Sequence, residues 1–119
     1  VAEQCLYILR GVPASQQLTD ALIAKAADEK SPLRYEVLRQ LEVLPEVVRL
    51  AARERAPHKV TTWVRELAGA VHGFYHDCPI LSPDTPDDLR QARWWLAEAA
   101  GSGLRVGLDL LGVTAPERM

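Results

Sequence analysis

Tyr75 and His76 close a segment of helical periodicity and stand just before a loop that contains Pro79. A tyrosine held at a helix end in this way can offer its ring to an unpaired nucleobase, which is read by stacking and by hydrogen bonds to its edges. Such a stack is worth about 1–3 kcal/mol per base. The same residue can equally be a core tyrosine with only its hydroxyl at the surface. Arg49, Arg53, Arg55, Lys59 and Arg65 gather nearby in sequence, with Glu54 the only acid between Arg49 and Arg65. Tracking phosphates needs a local cationic excess of this kind, although a solvated helix face has the same composition. Arg118, beside Met119, can pair with phosphate or with Glu117 or Asp109. His72, His76 and Cys78 have spacing that invites a metal, yet zinc needs four ligands in a tetrahedron and Cys5 or Asp77 would have to complete the set. No Cys-x-x-Cys pair supports that, so no metal is expected. His76 is expected at a helix C-terminus, where the dipole favours its cation. Nothing resembles a glycine-rich phosphate loop or a nucleophile elbow. Asp84, Asp87 and Asp88 read as helix-start residues rather than as an acid/base pair, and no catalytic residue is assigned.

The elements that must position these groups follow from a chain of 119 residues, 48% hydrophobic and 25% charged. That is one domain with one continuous core. A pI near 5.9 excludes a generic, charge-driven nucleic-acid binder and leaves room for a reader of RNA, not DNA, that uses stacking and a few placed arginines. No segment approaches the roughly 20 apolar residues of a membrane span, and no leader sequence opens the chain. Two cysteines, Cys5 and Cys78, fit a reducing, cytoplasmic setting. A chain that begins at Val1 reads as a processed protein or a piece of a longer one. Apolar spacing predicts helices at residues 3–10, 16–27, 33–41, 45–55 and 57–76, with Pro32, Pro45 and Pro57 at or near helix starts. The last helix opens with Thr85 as N-cap and Pro86 at the first position, and Gly112 stops it. No strand pattern competes, so the fold class is an all-α bundle of five to six helices. The inward positions expected of the long helices are Val60, Val64, Leu67, Val71 and Phe74, then Leu89, Ala92, Leu96, Ala99, Gly103, Val106 and Leu110. Gly101 and Gly103 each cost about 1 kcal/mol inside a helix and are tolerable where another helix crosses closely. Trp95 belongs to the core. Trp94 points away from the seam, and either fills a groove against the early helices, the expected outcome, or anchors a partner.

The run Phe74-Tyr75-His76-Asp77-Cys78-Pro79-Ile80-Leu81, the Ala92-Arg93 step and the closing Gly107-Leu108-Asp109-Leu110-Leu111-Gly112 with Ala115-Pro116-Glu117-Arg118-Met119 resemble the end of arginyl-tRNA synthetases. That region of the family is its helical anticodon-binding domain, called DALR. The similarity is strong from about Pro57 and thinner before Leu33. It implies that Tyr75 meets anticodon bases, and that the side chain and carboxylate of Met119 lie beside the same loop. Pro79 occupies a position where some members place an aromatic contact. His76, Arg118, Arg53 and Lys59 complete the set of expected RNA-binding residues.

The implied partners are the anticodon loop of arginine tRNA, whose isoacceptors share a central C, and a catalytic domain elsewhere in the parent chain. ATP and magnesium would serve that catalytic domain; this one needs no cofactor and is not itself catalytic. The family's first helix usually reads Tyr-Ala-His-x-Arg, which residues 1–10 lack. Its common Arg-Gln and Asn-Gly pairs are replaced by Gly101-Ser102 and Val106-Gly107. A diverged helical module for protein–protein interaction, anchored by Trp94, is the alternative.

Overall fold

The computed structural model describes residues 32–117. Among the described residues there are three helices, α1 (Pro32–Arg53), α2 (His58–Asp77) and α3 (Asp87–Leu110), and no strand. The all-α class holds, while the helices expected at residues 3–10 and 16–27 lie outside the described residues.

The helices expected at 33–41 and 45–55 are a single one, with Pro45 in its interior. An interior proline removes a backbone donor and costs about 3 kcal/mol. The inward stripe nevertheless runs straight through it: Val37, Leu41, Leu44 and Ala51 are buried, and Val47 and Val48 pack against the same core. Each buried aliphatic side chain contributes about 1.5–3 kcal/mol, so the stripe outweighs the break, and the proline itself faces solvent. α1 ends in a Schellman turn. The Ala56 N–H donates to Ala51 O at 2.8 Å and the Arg55 N–H to Ala52 O at 3.3 Å, with Arg55 at φ 53°.

α2 is central, and both neighbours run antiparallel to it. On the α1 side, a Cβ added to Gly73 would lie 3.0 Å from Leu33, and the Trp63 indole N–H donates to Gln40 O at 2.7 Å. On the α3 side, Gly103 sits over Leu67 and Gly107 over Val64. Val60, Leu67 and Phe74 are buried as expected, joined by Trp63 and Ala70, which periodicity alone did not single out. Val64 and Val71 are only half-buried.

On α3 the expected seam holds from Ala92 through Leu96 and Ala99 to Gly103 and then departs. Gly107 and Ala100 are buried, whereas Val106 and Leu110 are 47% and 53% exposed. The cause is how closely α2 approaches. A Cβ at 107 would stand 2.5 Å from Val64 Cγ2, and one at 103 would stand 2.6 Å from Leu41 Cδ2. The stripe therefore turns towards the residues without side chains. The close crossing expected at the glycines exists at Gly103, while Gly101 has nothing within 4 Å.

Thr85 is not the N-cap. Pro86 holds that position without a side-chain cap bond, and the Thr85 hydroxyl, buried, reaches Pro79 O at 3.5 Å instead. The opening turn carries Asp87 and Asp88, favourable at the positive end of the helix dipole. Gly112 does stop the helix: at φ 72° it closes a second Schellman turn, with Val113 N–H to Leu108 O at 2.9 Å and Gly112 N–H to Asp109 O at 3.0 Å.

Trp95 is half-buried. Trp94, expected to be buried, is 51% exposed because it stands on the side of α3 opposite the buried stripe. Among the described residues no helix is long and apolar enough to cross a membrane.

Candidate nucleic-acid interface

The antiparallel register gives the bundle two ends. One joins the start of α1, the end of α2 and the start of α3; the other joins the α1–α2 corner to the end of α3.

Tyr75 belongs to the first end. Phe74 beside it is fully buried and fixes the last turn of α2, while the Tyr75 ring, next in sequence, is 60% exposed. The Cys78 N–H donates to Phe74 O at 2.8 Å and its thiol is buried, so the backbone leaves the helix in a fixed direction. His76 is exposed and its Nδ1 lies 3.0 Å from Asp77 Oδ1.

The loop that follows is held from α3. Arg93 donates to Pro79 O at 2.8 Å; Arg90 donates to Thr85 O at 3.0 Å, to Ser82 O at 3.4 Å and to Asp87 Oδ1 at 3.0 Å. Hydrogen bonds from a charged guanidinium are roughly twice as strong as neutral ones, so these two side chains staple residues 79–85 to the helix. Ile80 is buried as a peg. Pro79 is exposed, and Leu81 is 80% exposed. The result is a rigid corner bearing a tyrosine ring and an aliphatic side chain open to a planar ligand. The Ala92-Arg93 step belongs to the family resemblance, but local spacing does not give either arginine this role. The available signal was two arginines three residues apart in the first turns of α3, just after a loop with few donors of its own.

Arg53 and Lys59 lie at the other end. From position 59 to position 75 the axis of α2 rises about 24 Å, so neither shares a pocket with Tyr75. Lys59 is paired with Glu54 at 2.7 Å, and Arg49 with Glu46 through Nη1 and Oε2 at 2.6 Å. Arg53, Arg55 and Arg65 are exposed and form no ion pair among the described residues. α3 also finishes at this end, since Gly107 packs beside Val64. Arg118 and Met119 lie outside the described residues, so the expected juxtaposition of Met119 with Tyr75 falls there too. His72 and His76 are exposed while Cys78 is buried, so the three do not converge on one point. Among the described residues no group of His, Cys, Asp and Glu could hold a metal ion.

Comparison with known proteins gives this geometry a context. Residues 7–119 match the model of the DALR anticodon binding domain. The arginine–tRNA ligase of Bordetella avium is 44% identical over 108 residues, covering 89% of this chain and 19% of the relative. That of Solidesulfovibrio magneticus is 38% identical over 110 residues, covering 92% of this chain and 19% of the relative. The archaeal enzyme of Thermococcus kodakarensis is 40% identical over 119 residues, 98% of this chain and 18% of its own. The chain thus spans about a fifth of the length of the curated relatives it matches. No solved structure matches it.

Proposed function

The chain belongs to the DALR anticodon-binding domain family, and from that premise we propose that it holds the anticodon loop of arginine tRNA for an arginine–tRNA ligase. The observation that carries this reading is the exposed Tyr75 ring on a corner that Arg90 and Arg93 keep rigid. Anticodon bases are unpaired and can be splayed onto such a surface. A ring whose backbone is already fixed loses little further freedom when a base stacks on it. The central C common to arginine anticodons is the base assigned to this corner. His76, Pro79 and Leu81 are exposed in the same stretch of chain, and the family resemblance adds Met119 and Arg118 to the RNA-binding set. Arg53 and Lys59 serve phosphates at the opposite end of α2 rather than the base itself.

The domain recognises and positions. Adenylate formation and aminoacyl transfer, with their ATP and magnesium, belong to a separate catalytic domain of the parent in a cytoplasmic setting. The test is binding of arginine tRNA transcripts by the parent chain, with the central C kept or replaced. Tyr75→Ala should weaken the unaltered transcript by about 1–3 kcal/mol, roughly 5- to 150-fold, and leave the C-replaced transcript little affected. Equal binding of both transcripts by the unmutated protein would sink the assignment. A second reading, a helical interaction module, draws on the exposure of Trp94. It requires that Trp94→Ala abolish capture of a protein partner while tRNA binding is absent throughout.

A further inference from the structure

His58, Arg65 and His72 recur every seven residues along α2, which puts them on one face of the helix, and all three are exposed. His76 follows one turn after His72, so that every histidine of the chain stands on this helix and none contributes to the core. Among the described residues of α2 no acid falls on the line of His58, Arg65 and His72: Glu66 is about 100° round the helix from Arg65. α2 has only two acids, Glu66 and Asp77. Glu66 Oε2 accepts from Gln40 of α1 at 3.4 Å, and Asp77 lies against His76 at 3.0 Å.

Two further features lie on the same line. Gly69, between Arg65 and His72, is exposed, and a Cβ placed there would meet nothing within 4 Å. A mid-helix glycine costs about 1 kcal/mol relative to alanine, and no packing inside the described residues accounts for it. It does leave the backbone bare where a ligand strand can come close. At the corner where α2 begins, Arg55 holds a left-handed conformation that suits glycine and costs an ordinary residue about 1 kcal/mol. Arg55 and Arg53 are both exposed at this corner and form no ion pair among the described residues.

We propose that the outer face of α2, from Arg53 and Arg55 through His58, Arg65 and the bare Gly69 to His72, is a track for the phosphate backbone of the RNA strand whose base reaches Tyr75. The proposal rests on the tRNA-binding reading and adds to it the surface that meets the backbone. From position 58 to position 72 the helix axis rises about 21 Å, long enough to meet several successive phosphates of one strand. Arginine and imidazole groups donate to phosphate oxygens without reading sequence. Tyr75 would then supply discrimination and this face affinity.

The two contributions separate by salt dependence, measured on the full-length chain containing this domain with arginine tRNA. The Arg65→Gln/His72→Gln double variant should lower the slope of log affinity against log salt by about 1, and weaken transcripts with and without the central C by the same factor. Gly69→Glu, placed in open space, should fold normally by circular dichroism and weaken binding about tenfold at low salt through its negative charge. Tyr75→Ala should leave the slope unchanged. If the unmutated chain binds arginine tRNA and both α2 variants match it in slope and affinity, the track is refuted and the function of Tyr75 stands. If those variants disturb only the capture of a protein partner, the face is a protein interface and the track is again refuted. If the unmutated chain does not bind arginine tRNA, the track and the functional reading fall together.

Discussion

Gly101 and Gly107 stand about 1.7 turns apart on α3 and should respond to alanine in opposite directions. At Gly101 the new methyl group enters open space, so only helix propensity acts, and the substitution should stabilise by about 1 kcal/mol. At Gly107 the same gain is present but the methyl would lie 2.5 Å from Val64 Cγ2 and 2.9 Å from Trp63 Cζ3. Neither neighbour yields readily. Valine is stiff at χ1, and the Trp63 ring is pinned by its 2.7 Å bond to Gln40 O in the middle of the core. Overpacking of this kind costs about 1–3 kcal/mol, which leaves Gly107→Ala destabilised by about 0–2 kcal/mol. The two variants should therefore differ by about 1–3 kcal/mol, or roughly 4–12 °C in melting temperature at about 4 °C per kcal/mol. Urea melts of both variants in one background, with unchanged m-values, measure the difference directly. Equal midpoints, or a Gly107→Ala variant more stable than Gly101→Ala, would show that α3 does not cross α2 at this point.

Three other substitutions probe the elements that carry the site. Pro45→Ala should stabilise the domain by up to about 3 kcal/mol, because α1 gains a backbone donor without losing a core side chain; urea denaturation reads this, and no gain would mean the helix is already broken there. Arg55→Gly should raise stability by about 1 kcal/mol by relieving the left-handed residue while weakening tRNA binding, so thermal melts and filter binding should move in opposite senses. Arg93→Met removes a charge-assisted bond to Pro79 O worth about 1.5–3 kcal/mol at most. Amide exchange in residues 79–85 should accelerate and affinity for arginine tRNA should fall, and unchanged exchange would remove Arg93 as the staple.

Much of this molecule is written locally. The all-α class, the long final helix, its acidic first turn and the stop at Gly112 follow from apolar spacing, dipole preference and a left-handed cap, all of which act within a few residues. The end-of-helix position of Tyr75 is local in the same sense, and so is the tail that carries the family resemblance. What neighbouring elements supply could not be read this way. Pro45 is tolerated because a core stripe on both sides outweighs one missing hydrogen bond. Thr85 gives up the cap because Pro79 O lies within its reach once the loop is folded. The seam of α3 turns from Val106 to Gly107 because Trp63 and Val64 occupy the space a side chain would need. The antiparallel register also divided residues that sequence spacing had gathered. Arg53 and Lys59 stand at one end of α2 and Tyr75 at the other, with Arg90 and Arg93 reaching back to fix the corner. Each of these outcomes depends on the volume or donors of a residue distant in sequence. Periodicity tells a helix which side is apolar, whereas the side chains facing it decide which positions meet and how closely.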